Sequence, residues 1–278
     1  MGEALGGNSD QKSILTRGTR VEQAKEGKYL YCVIESNEVL SFGPLGIGGR
    51  GDEIYAIHFN DIAAVVSNSP IKTYAISRDN TFIHENAIEE VMKKHAVLPV
   101  RFSTIAKNEE KVKSILENEY SKFKELFKKI KNKKELGLMA IFRKDVIYDE
   151  ILRVYENIRI LKKKIIALAP EKTHHQRREI GNLVEQALIE QTGKYKEEML
   201  NVLTPLADET KENNTYGEGM ILNAAFLVKK SKEPDFDKKV NELDERLRSM
   251  IKFKYTGTIP PFNFVNIVIK TSEHNVST

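Results

Sequence analysis

One cysteine in 278 residues, Cys32, excludes an internal disulfide, and nothing in the sequence points to an oxidising compartment. No apolar run approaches the roughly 18 residues that a membrane-spanning helix needs. Met1 to Gly27 hold no apolar signal-peptide core, their hydrophobic runs being no longer than pairs such as Ile14-Leu15. This stretch, residues 1–27, predicts a flexible extension, and the expected location is cytoplasmic by default. A surplus of one charge is also missing. Lys and Arg total 44 against 40 acidic residues, a formal charge of +4, which falls short of the basic excess of a dedicated nucleic-acid binder. The 40% hydrophobic and 30% charged composition is globular, and the length suits two domains.

The marks of common catalytic sites are missing as well. Gly43 to Asp52 is dense in glycine, yet no Gly-Lys-Ser/Thr follows it and no strand-loop-helix frames it, so a structural loop is the better reading than a phosphate cradle. In a cytosolic chain Arg50-Gly51-Asp52 is a coincidence. His84-Glu85 opens like a zinc-protease helix, but position 88 is Ile88 rather than the second histidine, and His84 is expected against a neighbouring strand or solvent. His174-His175 reads as a solvated pair at a helix start. Cys32 falls inside a buried strand, where a thiol acts as a small apolar group. No serine sits in a nucleophile elbow. These observations predict no enzyme, no metal and no cofactor. RNA or nucleotide binding, through the glycine loop or a ferredoxin-like sheet, is the alternative, although Leu136 to Phe142 lacks the alternating glycine and aromatic residues of an RNA-recognition strand.

What the sequence does contain is a regular succession of elements. Tyr29–Ile34 is a β-branched and aromatic run, a buried strand. Ile54–His58 and Ile62–Ser67 predict a hairpin turning at Asn60-Asp61. Asp79 or Asn80 caps a helix from about Thr81 with Phe82, Ile83, Ala87, Ile88, Val91 and Met92 on its apolar face. Pro99 ends that helix and makes Val97–Ile105 a strand. One long helix is expected from Glu109 to Ile130, then a strand from Leu136 to Phe142. Ile147, Ile151, Val154, Ile158, Leu161, Ile165 and Leu168 form a heptad seam closed by Pro170, and a second helix runs from about Thr173 to Leu203. The two fold back as a hairpin at about 146–204. A polar loop, Asp208 to Gly219, precedes a strand Met220–Val228, a helix Asp235–Met250, and short strands Phe253–Thr256 and Phe264–Ile269 around the Pro260-Pro261 corner. The expected fold class is α+β with two domains: an N-terminal mixed α and β sheet domain at 28–133, and a C-terminal ferredoxin-like domain at 134–278 with an inserted helical hairpin.

Several strings, in this order, resemble one family. They are Tyr29-Leu30-Tyr31-Cys32-Val33-Ile34, Phe42-Gly43-Pro44-Leu45-Gly46-Ile47-Gly48, Asp61-Ile62-Ala63-Ala64-Val65-Val66-Ser67, Ile88-Glu89-Glu90-Val91-Met92 through Val97-Leu98-Pro99-Val100-Arg101-Phe102, Met220 to Val228, and Tyr255 to Val265. Over Tyr29 to Lys270 the chain is similar to the gas vesicle accessory proteins GvpF and GvpL, with Ile259 standing where that pattern leads one to expect tryptophan. The resemblance implies a two-domain α+β accessory protein, associated with gas vesicles, that contacts the small hydrophobic shell protein GvpA and other accessory proteins. A shell subunit exposes apolar surface before assembly and aggregates unless escorted. The expected contacts, by groove or sheet-edge binding, are Gly43, Pro44, Gly46 and Gly48 of the glycine loop, Arg101, and Pro260, Pro261 and Phe262 of the corner.

Overall fold

The computed structural model describes residues 25–166, 168, 173–217, 219–265, 267 and 269. Most of the expected extension, together with Pro170, lies outside them. Two antiparallel sheets organise the chain, a mixed α and β architecture.

The first sheet holds β1 (Glu26–Glu35), β2 (Ser41–Gly43), β3 (Ile54–Phe59), β4 (Ile62–Pro70), β5 (Val97–Pro99) and β6 (Ile105–Ala106). Its order is β2-β3-β4-β1-β5, with β6 also paired to β1. β1 starts at Glu26, so Glu26 and Gly27 belong to the sheet rather than to the extension. The β3–β4 hairpin turns at Asn60, whose φ of 52° is the left-handed conformation that Asn tolerates.

Both faces of this sheet are covered, which is why β1 and β4 read as nearly continuous apolar runs. Helix α1 (Arg78–Met92) lays Ala87, Ile88 and Val91 against Tyr29, Tyr31 and Ile34 on one face. Its cap is Ser77, which accepts the Asn80 N–H, rather than Asp79 or Asn80. Phe82, expected on the apolar face, is exposed, and His84 is buried instead. Helices α2 (Glu109–Asn118) and α3 (Tyr120–Ile130) cover the opposite face with Val112, Leu116, Phe123 and Phe127. The single helix expected here is broken at Glu119 (φ −101°, ψ 9°), which lets α2 pack near β3 and β4 while α3 reaches β5. No proline or glycine announces that break.

The second sheet contains β7 (Lys133–Phe142), β8 (Glu209–Glu212), β9 (Met220–Lys229) and β10 (Ile251–Ile259), in the order β10-β7-β9-β8. β8 lies inside the stretch expected to be a polar loop. Its Glu-Thr-Lys-Glu sequence has no apolar alternation to reveal it, and pairing with β9 alone makes it a strand. Along β7, Leu136, Leu138, Ala140 and Phe142 face a helical layer and Glu135 faces the other way. That layer is made of α4 (Lys144–Val154), α5 (Glu156–Ile166), α6 (His174–Leu203) and α7 (Glu233–Leu247). The seam expected as continuous is broken at Tyr155 (φ −97°, ψ 96°). Ile147, Ile151, Ile158 and Ile165 are buried, but Val154 and Leu168 are exposed. Helix α7 seats Phe236 on Phe226 with ring centroids 5.1 Å apart.

Two expected strands change. After Pro99, which has no N–H to extend a ladder, Val97–Ile105 turns away. Ser103 takes φ 63° and Thr104 Oγ1 donates to Arg101 O at 2.6 Å, so the strand is split into β5 and β6. The final strand expected at Phe264–Ile269 is replaced by a turned segment. Phe264 and Val265 N–H both donate to Pro261 O, and Ile267 makes one parallel bridge with Val100. The chain thereby crosses from the second sheet back to the first, placing Val265 and Ile267 in the core beneath α2 and α3.

Candidate functional site

A buried polar and aromatic cluster underlies β1, the glycine loop and the turn after β5. The Tyr29 hydroxyl accepts the Ser103 N–H at 3.0 Å and shares a hydrogen bond with His84 Nδ1 at 3.1 Å. The Tyr31 hydroxyl accepts the Ile47 N–H at 2.8 Å and bonds Ser67 Oγ at 2.9 Å. Tyr74 bonds Ser69 Oγ at 2.9 Å through its hydroxyl, and its backbone N–H donates to Ser103 Oγ at 3.0 Å. His84 stacks on Tyr31 and meets Phe102 edge-on at 5.5 Å. Burial pushes its imidazole down to about 4, with the Val100 backbone working the other way, so it is neutral at neutral pH. Burial likewise pushes the Tyr31 hydroxyl up to about 12 and drives the Cys32 thiol far above its usual range. Each of these groups is held in its uncharged form, which suits a scaffold rather than proton transfer.

The glycine loop hangs on this cluster. The Leu45 N–H donates to Gly43 O, Gly46 N–H to Asp52 O at 2.9 Å, and Ile47 N–H to Tyr31. These amides are spent within the protein rather than gathered around an anion. Gly46 is required by close approach, since a Cβ there would lie 2.6 Å from Asp52 O, and Gly48 by its φ of +86° against the Tyr74 ring. Arg50 pairs with Glu26 at 2.8 Å and with Asp52 at 2.9 Å, which accounts for the Arg-Gly-Asp string as an internal clasp.

Two concavities flank the Pro260-Pro261 corner. One is a groove of about 520 Å³ lined by Thr81, His84 and Glu85 of α1, by Pro99 to Phe102, and by Phe262, Val265 and Ile267. The other is a cleft of about 410 Å³ between the sheets, walled by Met92, Val97, Ile130, Ile259 and Pro261 and rimmed by lysines. Of the residues singled out from sequence, Arg101 and Phe262 meet in the groove, both exposed. Among the described residues Arg101 has no ion pair. Pro261 is buried and lines the cleft, and Pro260 is buried behind it. Gly43, Pro44, Gly46 and Gly48 line neither concavity; their tie to the groove runs through Tyr31 and His84.

Sequence reasoning missed the groove residues Thr81, Glu85, Val265 and Ile267, because only the crossing of the C-terminal segment brings them together. It also missed Glu135, buried on the outer face of β7, because a carboxylate following Lys133 and Lys134 reads in the sequence as part of a charged turn. Among the described residues no cluster of His, Cys, Asp and Glu could hold a metal, and no helix is long and apolar enough to cross a membrane.

Residues 27–266 match the family described as gas vesicle synthesis protein GvpL/GvpF. Relatives named gas vesicle protein F include that of Nostoc sp. (strain PCC 7120), 27% identical over 221 residues covering 77% of this chain and 88% of the relative. The gas vesicle protein F1 of Halobacterium salinarum is 23% identical over 247 residues, covering 88% and 95%. The crystal structure of GvpF from Anabaena sp. PCC7120 superposes with a TM-score of 0.74 at 24% identity, covering 88% of this chain and all of that one. GvpF from Microcystis aeruginosa gives 0.66 at 22% identity, covering 87% and 99%. These two likenesses establish the shared fold, while the match over nearly all of the described chain establishes kinship. The chain belongs to the GvpL/GvpF family of gas vesicle synthesis proteins, with an accessory role in gas vesicle formation.

Proposed function

We propose that this protein acts without catalysis, by seating an apolar segment of the gas vesicle shell protein GvpA, and of fellow accessory proteins, in the groove between α1 and the Pro260–Ile267 segment. The observation that carries this reading is the meeting of Arg101 and Phe262 on one concave surface. Phe102 and Phe262 offer apolar contact over a floor closed by the buried Val265 and Ile267, and the unpaired Arg101 guanidinium suits a carboxylate beside an apolar side chain. An unassembled shell subunit presents apolar surface that needs cover before it is incorporated. The work is cytoplasmic, at the growing vesicle. The glycine loop supports the groove from behind, through Tyr31 and His84, rather than touching the partner.

We also read residues 28–133 and 134–278 as two domains, the second ferredoxin-like. The β7-helix-β8-β9-helix-β10 succession and the β10-β7-β9-β8 order support that reading, with α4–α6 as the inserted helical arm.

The test is capture of purified shell protein by the folded chain. Phe262→Ala and Arg101→Glu are expected to weaken capture at least tenfold each, while Val39→Ser, at a fully exposed site away from the groove, leaves it unchanged. Undiminished capture by the double variant Arg101→Glu/Phe262→Ala sinks the assignment.

A further inference from the structure

The groove's far wall is not part of any sheet or helix. It is a strap, Pro260 to Val265 with Ile267, that leaves β10, lies over the outer face of the second sheet and ends against Val100. Its turn is internally bonded: Phe262 N–H donates to Pro260 O, and Phe264 and Val265 N–H to Pro261 O. Phe264 packs on Ala225 and Leu227. Lys211 of β8 donates to Asn263 O at 3.3 Å, and Lys129 of α3 donates to Phe264 O at 3.2 Å.

At the centre of the strap stands Glu135. It is 1% exposed, paired across β7 to Leu227 on one side and Ile259 on the other. Its Oε2 accepts the Asn263 backbone N–H at 3.0 Å and its Oε1 accepts Asn263 Nδ2 at 2.6 Å. Among the described residues no cation contacts it directly. An ionised carboxylate in this position is satisfied by two amides but stays out of water. A protonated one is satisfied just as fully, because turning over the Asn263 amide presents Oδ1 to the carboxyl O–H while the backbone N–H keeps the other oxygen.

We propose that Glu135 is the latch of this strap, so that proton binding at this one carboxyl favours the closed turn and, with it, the completed wall of the groove. The proton goes from solvent to a Glu135 carboxyl oxygen, and the strap leaves as the ionised carboxylate regains water. Burial, opposed by the Asn263 bonds and the Lys211 charge, pushes the Glu135 carboxyl up to about 7, inside the range where a cell's pH can act on it. The charged groups that face this region are Lys211, Lys129 and those around the adjoining cleft: Glu89, Lys93, Lys94 and His95 at the end of α1, Lys133 and Lys134 on β7, and Lys230 after β9. Lys93, Lys129, Lys133 and Lys134 are neutralised by Glu90, Glu209, Asp208 and Glu233, Glu209 of β8 lying on the same face as Glu135. The remaining cations favour the carboxylate, and burial outweighs them.

The latch itself stands on the geometry, whereas its consequence for partner binding rests on the groove being the contact proposed above. The closing experiment follows backbone amide exchange at Asn263, Phe264 and Val265 from pH 5 to 8.5, corrected for intrinsic rates, with shell-protein capture measured on the same samples. In the unsubstituted chain, opening is expected to rise on the order of a hundredfold across that range, each unit of pKa difference being tenfold. Glu135→Gln reproduces the protonated pattern, with Oε1 accepting the Asn263 N–H and Nε2 donating to Oδ1, so its strap stays protected at every pH. Glu135→Ala exchanges fast throughout this segment while the β7–β9 amides remain protected. Identical pH profiles for the unsubstituted chain and Glu135→Gln overturn the latch, and this comparison decides even where Glu135→Ala fails to fold. Strap opening with unchanged capture overturns the groove reading and leaves the latch. Capture that depends on Arg101 and Phe262 beside a pH-flat strap does the reverse.

Discussion

The cores on either side of the Lys133 junction are built on different terms. Around β1, hydroxyl and imidazole groups lie inside the protein: Ser67, Ser69 and His84 are buried and are bonded to three tyrosines that are themselves almost fully enclosed. The helical side of the second sheet is mostly apolar, from Leu136 and Phe226 to Phe236, Val240 and Leu243, with few buried polar groups, among them Gln191, which donates to the Tyr155 hydroxyl at 3.1 Å, and Thr210. An apolar core supplies stability without fixing fine geometry, whereas a bonded polar network fixes positions because each misplaced partner leaves a further buried group unbonded; here His84 Nε2 is buried without a partner of its own. The polar core lies under the glycine loop and under the turn at Arg101 and Phe102 that lines the groove; the apolar core carries the arm.

The sharpest way to break that contrast is Phe226→Ala. Removing the ring that holds α7 is expected to destabilise the second sheet by about 3–5 kcal/mol in a denaturant titration. If the two units fold separately, the amides of β1 and β4 keep their protection while those of β9 lose it.

The polar core under β1 and the strap over the outer face of the second sheet are expected to fail at opposite ends of the pH scale. His84 has its folded value depressed to about 4 from an unfolded value near 6.5, so its contribution is complete above about 6.5 and is lost as pH falls towards 4. Glu135 has its folded value raised to about 7 from about 4.5, so its contribution is complete below about 4.5 and is lost as pH rises through 7. Melting temperature against pH is expected to form a dome, each flank amounting to roughly 1–3 kcal/mol. Glu135→Gln flattens the alkaline flank alone. An acid flank that moved with Glu135→Gln would contradict this assignment of the two groups.

Smaller still is Tyr29→Phe, expected to lose about 1–2 kcal/mol because the Ser103 N–H and His84 Nδ1 both lose their partner. Its signature is local, a loosened turn at residues 101–104, visible as faster exchange of the Ser103 amide. Phe262→Ala closes the series. Its exposed ring predicts under about 0.5 kcal/mol of stability change, so a loss of capture in that variant reports on binding rather than folding.

The residues that announced themselves were those whose local chemistry matches their final setting. Tyr29–Ile34 had to be a strand, Pro99 had to keep the preceding helix from running on, and the glycines at 46 and 48 had to turn. What stayed hidden depends on contacts between distant segments. Val97–Ile105 looked continuous because nothing in its apolar run records that Ser103 must reach back to Tyr29. β8 has no pattern of its own and exists because β9 offers hydrogen bonds. The groove was half legible: Arg101 and Phe262 stood out, but that they share one surface follows only from the bridge between Val100 and Ile267. Glu135 was passed over because the expected strand began only at Leu136, and sequence does not record which face of the longer strand a later segment will cover.

The bridge between Val100 and Ile267 has a consequence in time. A chain emerging from the ribosome presents the first sheet long before the segment that completes the groove. Throughout that interval Val100 and Phe102 stand ready while Val265 and Ile267 are still to be made, so a half-synthesised copy lacks one wall of the seat. On the groove reading proposed above, capacity for a partner therefore waits for the segment from Pro260 to be made, and a chain cut before Pro260 is expected to retain a folded first sheet yet capture no shell protein.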